Sequence, residues 1–227
     1  MSKPRILVIE DEDAIRAGIC DLLAYHGLEP VGAATGDAGL ASAFAGGWDL
    51  LMVDVMLPGV DGFSICRQVR ERDPGQAILM LTAKGREEDV LEGFAAGCDD
   101  YITKPFSVAQ LVARVKALLR RQGTKVERNV TSAGVTLQPD ALRAHADDQT
   151  VALSTRDVEV IAYLARQRPG VVSRTDLLRE VWGYKRVERV ETRAVDMHIV
   201  KLRRKLSRIT QADVIETVRG AGYRLAP

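Results

Sequence analysis

"LLMVDVMLPGVDGF", residues 50–63, opens with four apolar residues and then delivers a carboxylate. Leu50–Val53 reads as a strand buried on both faces, because the apolar run is continuous rather than alternating. Asp54 ends the run, and Leu57-Pro58-Gly59 soon afterwards stops any sheet. An acid at the end of a buried strand, followed at once by a break, is an acid carried to the rim of a core. The same construction recurs. Glu10 and Asp11 follow the run Ile6–Ile9, Thr82 follows Ile78–Leu81, and Lys104 comes just after Asp100–Ile102. With Glu29–Ala33 these make five strands. Helical stretches near residues 12–26, 37–45, 62–72, 86–96 and 107–121 alternate with them, and the last carries the apolar stripe Leu111, Val115, Leu118 and Leu119. Five β-α units predict an α/β fold with a parallel sheet wrapped by helices on both faces.

In an open parallel sheet, ligands bind beyond the carboxyl ends of the strands, where the strand order reverses. With strands one and three as neighbours, Glu10, Asp11 and Asp54 converge. Three carboxylates held together repel and raise one another's pKa unless a cation joins them. An oxygen-only set with open positions suits Mg²⁺. A hydroxyl (Thr82) and an ammonium (Lys104) facing this set suit a phosphoryl group on Asp54, since carboxylates serve as covalent phosphate acceptors and cations offset the charge on the equatorial oxygens. Singly, each residue has an ordinary role as a helix cap, turn opener or solvated lysine. Their concurrence at four strand ends points to a site.

The 227 residues, 46% hydrophobic and 28% charged, suit one large globular domain or two modest ones. No apolar stretch approaches the ~20 residues of a membrane span, and the N-terminus carries no signal-peptide core. Cys20, Cys66 and Cys98 are widely spaced and form no CxxC, as suits packing residues in a reducing cytoplasm. Three histidines without ligand spacing give no zinc site. The net charge of +1 conceals a division. Residues 1–121 hold 13 Lys+Arg against 18 Asp+Glu, a net of −5, and residues 122–227 hold 19 against 13, a net of +6.

Between the halves "RRQGTKVERN", 120–129, reads as a polar linker. Beyond it, "GVTLQPDALRAHADDQTVALS", 134–154, alternates strand-like pieces with Pro-Asp and Asp-Asp breaks and predicts an antiparallel sheet. Helices follow near 155–167, 174–182 and 191–208, with Ser154 or Thr155 capping the first and Ser173 the second. The chain ends in two strand-like runs around a Gly-x-Gly turn. On 191–208, Val195, Ile199, Leu202 and Leu206 form a buried stripe, and Arg193, Met197, Lys201, Arg204 and Arg208 occupy the other face. Residues 185–208 carry nine Lys+Arg against three acids. A helix with one anchored and one basic face is a shape that enters a major groove.

"ILVIEDE", "VDVMLPGVDGF", "LTAKG" and "DDYITKPF" together resemble the receiver domain of two-component response regulators, over essentially all of residues 4–121. "LSTRDVEVIAYL", "VVSRTDLLREVWG", "RAVDMHIVKLRRKL" and "TVRGAGYRL" resemble the winged-helix effector domain of OmpR/PhoB-type transcription regulators, over about 130–226. The resemblance implies a flavodoxin-like (βα)5 receiver at 1–121, a linker at 122–129 and a winged helix-turn-helix α+β DNA-binding domain at 130–227. It implies that Asp54 accepts a phosphoryl group from a phosphohistidine on a sensor histidine kinase. Glu10, Asp11 and Asp54 would hold Mg²⁺ with the Met56 backbone carbonyl, Thr82 and Lys104 would contact the phosphoryl oxygens, and Tyr101 would turn inward on activation. The Lys104–Pro105 bond would be cis.

By the same likeness 191–208 is the recognition helix and 214–225 the wing. Arg193, His198, Lys201 and Arg204 would contact bases or phosphates, Arg219 the minor groove, and Trp182 and Thr217 the DNA backbone; His198 also admits a reading as a packing histidine. Val200 and Ala194 stand where many relatives carry polar groups. Phosphorylation would favour a homodimer on tandem half-sites of promoter DNA, with RNA polymerase a further partner and the cytoplasm the place of action. Receivers of this kind pair through charged residues, yet Val90, Ala95 and Gln110 are uncharged, leaving Asp100 and Arg114 as one such pair. The chain is thus expected to be a regulator and not an enzyme. An aspartate-nucleophile phosphatase wants a second acid two residues after the nucleophile, where Met56 stands. A dinucleotide-binding enzyme wants a Gly-x-Gly-x-x-Gly that strand one lacks. A third reading keeps the fold and drops the switch, a DNA-binding protein that acts without phosphorylation; the intact acidic set speaks against it.

Overall fold

The computed structural model describes residues 3–83, 96–120, 129–183 and 193–227, without the side chains of 120 and 193. The chain divides into two compact units, residues 1–122 and 123–227. The linker expected at 122–129 lies, but for Asn129, outside the described residues, as does nearly all of the helix expected near 86–96.

In the first unit β1 (Arg5–Ile9), β2 (Glu29–Ala33), β3 (Leu50–Asp54), β4 (Ile78–Ala83) and β5 (Asp100–Lys104) pair in parallel in the order β2-β1-β3-β4-β5. Between them run α1 (Asp13–Tyr25), α2 (Gly36–Ala45) and α3 (Gly62–Arg72), and α4 (Val108–Arg120) follows β5. The three central strands are buried on both faces: Ile6–Ile9, Leu50–Val53 and Ile78–Leu81 are all at most 1% exposed. That is why their sequences are continuous apolar runs. Pro30, which can give the ladder no N–H, sits on the edge strand β2. The strands β4 and β5 run two residues longer than the apolar runs that announced them, so Thr82 and Lys104 are still in the ladder.

The order reverses between β1 and β3, and the register there pairs Ile9 with Val53, which sets Glu10 beside Asp54. Asp54 pairs in turn with Leu81, and Ala83 with Lys104. The turn after β3 answers why "LPGVDG" follows the acid. Gly59 takes φ +80, a left-handed value that favours glycine. Asp61 caps α3, accepting a bond from the Ser64 amide at 2.9 Å. A Cβ on Gly62 would lie 2.1 Å from the Asp54 carbonyl oxygen, so only glycine lets α3 start this close to the strand end.

The second unit opens with a four-stranded antiparallel sheet in chain order, β6 (Val130–Ser132), β7 (Val135–Gln138), β8 (Arg143–Ala146) and β9 (Gln149–Ala152). Then come α5 (Thr155–Arg166), α6 (Arg174–Glu180), α7 (Arg193–Leu206) and a hairpin of β10 (Ile215–Val218) and β11 (Gly222–Leu225). Ser154 rather than Thr155 caps α5, in a capping box with Asp157, and Ser173 caps α6. One core joins these parts: Val158, Ile161 and Leu164 of α5, Leu177 and Leu178 of α6, the α7 stripe Val195, Ile199, Leu202 and Leu206, and Tyr223 and Leu225 of the hairpin.

Candidate functional site

Four strand ends build a pocket of charge in the first unit. Glu10, Asp54 and Thr82 are 1%, 5% and 4% exposed, whereas Asp11 is exposed. One carboxylate oxygen from each of Glu10, Asp11 and Asp54 lies within 4.8 Å of the others. The Lys104 ammonium bridges two of them, 2.6 Å from Glu10 Oε2 and 3.0 Å from Asp54 Oδ2. Burial pushes the Glu10 carboxyl up and the neighbouring Asp54 charge adds to this, against the pull of Lys104. Burial works against the Lys104 charge too, but the two carboxylates outweigh it and raise its pKa. Three carboxylates and one ammonium leave two negative charges when all are ionised. An all-oxygen donor set with a solvent-facing side and that surplus fits a hard divalent cation, and Glu10, Asp11 and Asp54 are the residues placed to hold it.

The rest of the expected set is near in chain but varied in placement. Thr82 Oγ1 donates to the Ala83 carbonyl at 3.0 Å. The Met56 side chain is 71% exposed. Tyr101 is half-buried, with the Arg114 guanidinium 5.9 Å from its ring centre. Arg114 also donates to Asp100 at 2.6 Å, so this charged pair closes within one chain. The Lys104–Pro105 bond is cis. Sequence reasoning missed Arg16. From the first turns of α1 its Nη1 donates to the carbonyls of Glu10 (2.8 Å) and Asp11 (3.2 Å), pinning the loop that carries both acids. Its only sequence signal is an arginine one turn into the helix after the acidic run.

In the second unit the structure separates residues that the sequence put on one interface. His198 is fully buried, with Nε2 3.0 Å from Asp157 Oδ1. Trp182 is 1% exposed, edge-on to the His198 ring at 5.4 Å and beneath the Arg156 guanidinium. Both belong to the core, which corrects the expectation that they touch DNA. Lys201 is half-buried and its Nζ is enclosed, close enough to Asp157 to stabilise that carboxylate. Lys205 pairs with Asp157 directly. Helical phase explains the displacement: the buried stripe is centred so that 198, 201 and 205 flank it, turned toward α5.

Three expected contact residues remain at the surface. Arg204 and Arg219 are exposed, the latter in the β10–β11 turn, and Thr217 is exposed with its hydroxyl accepting from Arg203 at 2.9 Å. Of Arg193 only the backbone, at the start of α7, is described. Asp196 anchors this end of the helix, accepting from Arg174 at 2.6 Å and from the Tyr223 hydroxyl. The Tyr223 phenol is pushed up to about 12, by burial first and by the Asp196 charge. Among the described residues no helix is long and apolar enough to cross a membrane.

Comparison with known proteins places both units. Residues 6–116 match the response regulator receiver domain and residues 148–225 the C-terminal domain of transcriptional regulatory proteins. The transcriptional regulatory protein ResD of Bacillus subtilis (strain 168) is 38% identical over 233 residues, covering 98% of this chain and 96% of ResD. SrrA of Staphylococcus aureus (strain NCTC 8325 / PS 47) is 39% identical over 229 residues, covering 96% and 94%. Among solved structures, a mutant of RitR superposes with a TM-score of 0.78 at 26% identity over 98% of both chains. DrrB, an OmpR/PhoB homologue of Thermotoga maritima, does so with 0.52 at 27% identity over the whole of both.

Proposed function

The chain belongs to the two-component response regulators of the OmpR/PhoB type, with a receiver domain and a DNA-binding domain, and from that premise we propose that it is a phosphorylation-switched transcription factor. Asp54 is the acceptor. A phosphohistidine of a sensor histidine kinase gives up its phosphoryl group: the N–P bond breaks, a bond to an Asp54 carboxylate oxygen forms, and an acyl phosphate results. The observation that carries this reading is the convergence of Glu10, Asp11, Asp54 and Lys104 at neighbouring strand ends, with a surplus of two negative charges. Glu10, Asp11 and Asp54, with the Met56 backbone carbonyl, are the Mg²⁺ ligands of this proposal, and the ion supplies charge neutralisation for the incoming oxygens. Lys104 moves from its carboxylate partners to a phosphoryl oxygen, and Thr82 takes up another with its hydroxyl. Tyr101 follows Thr82 inward.

Phosphorylation then shifts a two-state receiver toward a dimerising form. Two effector units on tandem half-sites bind promoter DNA more tightly than one through effective concentration. Arg193, Arg204, Thr217 and Arg219 make the contacts, Lys201 does so only if its ammonium leaves Asp157, and RNA polymerase is a further partner in the cytoplasm. Because Asp100 and Arg114 are satisfied within the chain, the dimer draws on other residues of the receiver. Intact mass after incubation with Mg²⁺ and acetyl phosphate tests the switch. Wild type gains one phosphoryl group and Asp54→Asn gains none; a phosphoryl group on Asp54→Asn, or none on wild type even from a partner kinase, defeats it.

A further inference from the structure

Among the described side chains of α7 only two are exposed, Val200 and Arg204. They are four residues apart and therefore share a face. Val200 is 59% exposed. Half-buried Met197 precedes it by one turn, and exposed Arg208 follows Arg204 by another. The polar groups that would otherwise read bases from this helix are turned away: His198 is enclosed beside Asp157, and Lys201 points its amine into the same interior. What the helix presents outward at its middle is an isopropyl group beside a guanidinium.

We infer that Val200 is a base-reading residue and that its target is the 5-methyl group of thymine in the major groove. This rests on the DNA-binding role proposed above, with α7 as the recognition helix in the major groove. Thymine is the one base whose major-groove edge carries an apolar group; the edges of adenine, guanine and cytosine offer donors and acceptors there. An isopropyl group pressed on those edges desolvates them with nothing in return, whereas on thymine it removes two apolar surfaces from water. A β-branched side chain on a helix has essentially one χ1 rotamer, so Val200 is held in position without a large loss of freedom on binding. Single exposed valines are common on protein surfaces. This one differs in its setting: it sits beside Arg204 on a helix whose last turn carries Arg203, Arg204 and Lys205, and the exposed arginines attract the phosphates that flank any groove.

The test selects duplexes from a random pool with the full-length chain in Mg²⁺ and acetyl phosphate. Each thymine of the selected duplex is then replaced singly by deoxyuridine, which removes only the methyl group. At one thymine per half-site the replacement weakens wild type about fourfold, the factor that ~0.8 kcal/mol for one methyl group gives. The Val200→Ser chain binds the two duplexes equally. The protein change is at an exposed position and the decisive change is in the DNA, so a folding defect cannot imitate the result. Discrimination that persists in Val200→Ser assigns the methyl contact to another residue and overturns the inference, as do selected sites whose thymines all tolerate deoxyuridine. A failure to enrich any sequence overturns the groove placement itself, which is a different outcome from the other two.

Discussion

Two clusters of buried charge, one in each unit, are opposites. Around Asp54 three carboxylates gather with one ammonium, which bonds two of them, and one side of the cluster faces solvent through Asp11. Around Asp157 one carboxylate is met by His198, Lys205 and the nearby Lys201, and Asp157 and His198 are both fully buried. Burial alone would raise the Asp157 carboxyl, but Lys205, His198 and Lys201 overcome it and hold the group well below the usual carboxylate range. The first cluster is an unbalanced charge with an entrance. The second has its counter-charges built in, and its carboxylate and imidazole are shut off from solvent. Burial and perturbed ionisation are common to both, so neither marks a site; charge surplus and access do.

The comparison breaks most sharply under substitution. Asp157→Ala removes the single anion and strands Lys205 and Lys201, besides deleting half of the capping box on α5. Breaking a buried pair from one side costs about 3–5 kcal/mol. Urea unfolding of a Trp48→Phe chain, whose remaining Trp182 lies in this cluster, should show that loss in the second unit. Asp11→Asn does the reverse. It removes one of three repelling charges at an exposed position, so in EDTA the first unit keeps its stability. Wild type in Mg²⁺ at a hundred times its dissociation constant should gain about 2.7 kcal/mol, and Asp11→Asn should lose most of that gain. A large destabilisation by Asp11→Asn in EDTA would make the acidic set structural and erase the contrast.

Acidification separates the clusters next. Burial holds the His198 pKa below 6.5, against the opposing pull of Asp157. The unfolded chain therefore takes up a proton that the folded unit resists, and stability present above pH ~6.5 falls as pH drops, by up to ~1.4 kcal/mol per pH unit. Asp157, also depressed, adds a loss of the same sign only below about pH 4. Urea midpoints of the second unit at pH 7.5 and 5.5 measure the histidine part, and His198→Asn should flatten the difference.

The first unit was nearly all legible in the sequence because its logic is local. A doubly buried strand must be a continuous apolar run, and whatever polar residue ends the run stands at the rim, so Glu10, Asp54, Thr82 and Lys104 could be read off strand by strand. Arg16 escaped because it acts through backbone carbonyls, which leave no pattern in the side chains around them. The second unit was legible as helices and caps but not as an interface. The apolar stripe of α7 gave the buried direction, yet a flanking residue is inside or outside according to what the next helix offers it. Asp157, on α5, draws in 198, 201 and 205; nothing near α7 in sequence announces that. Trp182 went the same way, its ring filling the gap between His198 and Arg156.

The smallest effect discriminates the two kinds of lysine and arginine on the effector surface. Arg219, exposed in the hairpin turn, faces solvent with its charge available to phosphates or to a narrow minor groove. Arg219→Ala should weaken binding to the selected duplex several-fold and lower the slope of log K against log salt by about one. Lys201 carries the same charge, but its amine is enclosed beside Asp157 and releases no counterion from DNA. Lys201→Ala should therefore leave the salt slope unchanged while shifting the urea midpoint of the second unit. If instead Lys201→Ala lowers the slope as Arg219→Ala does, the ammonium leaves Asp157 when DNA arrives, and the closed cluster is open after all.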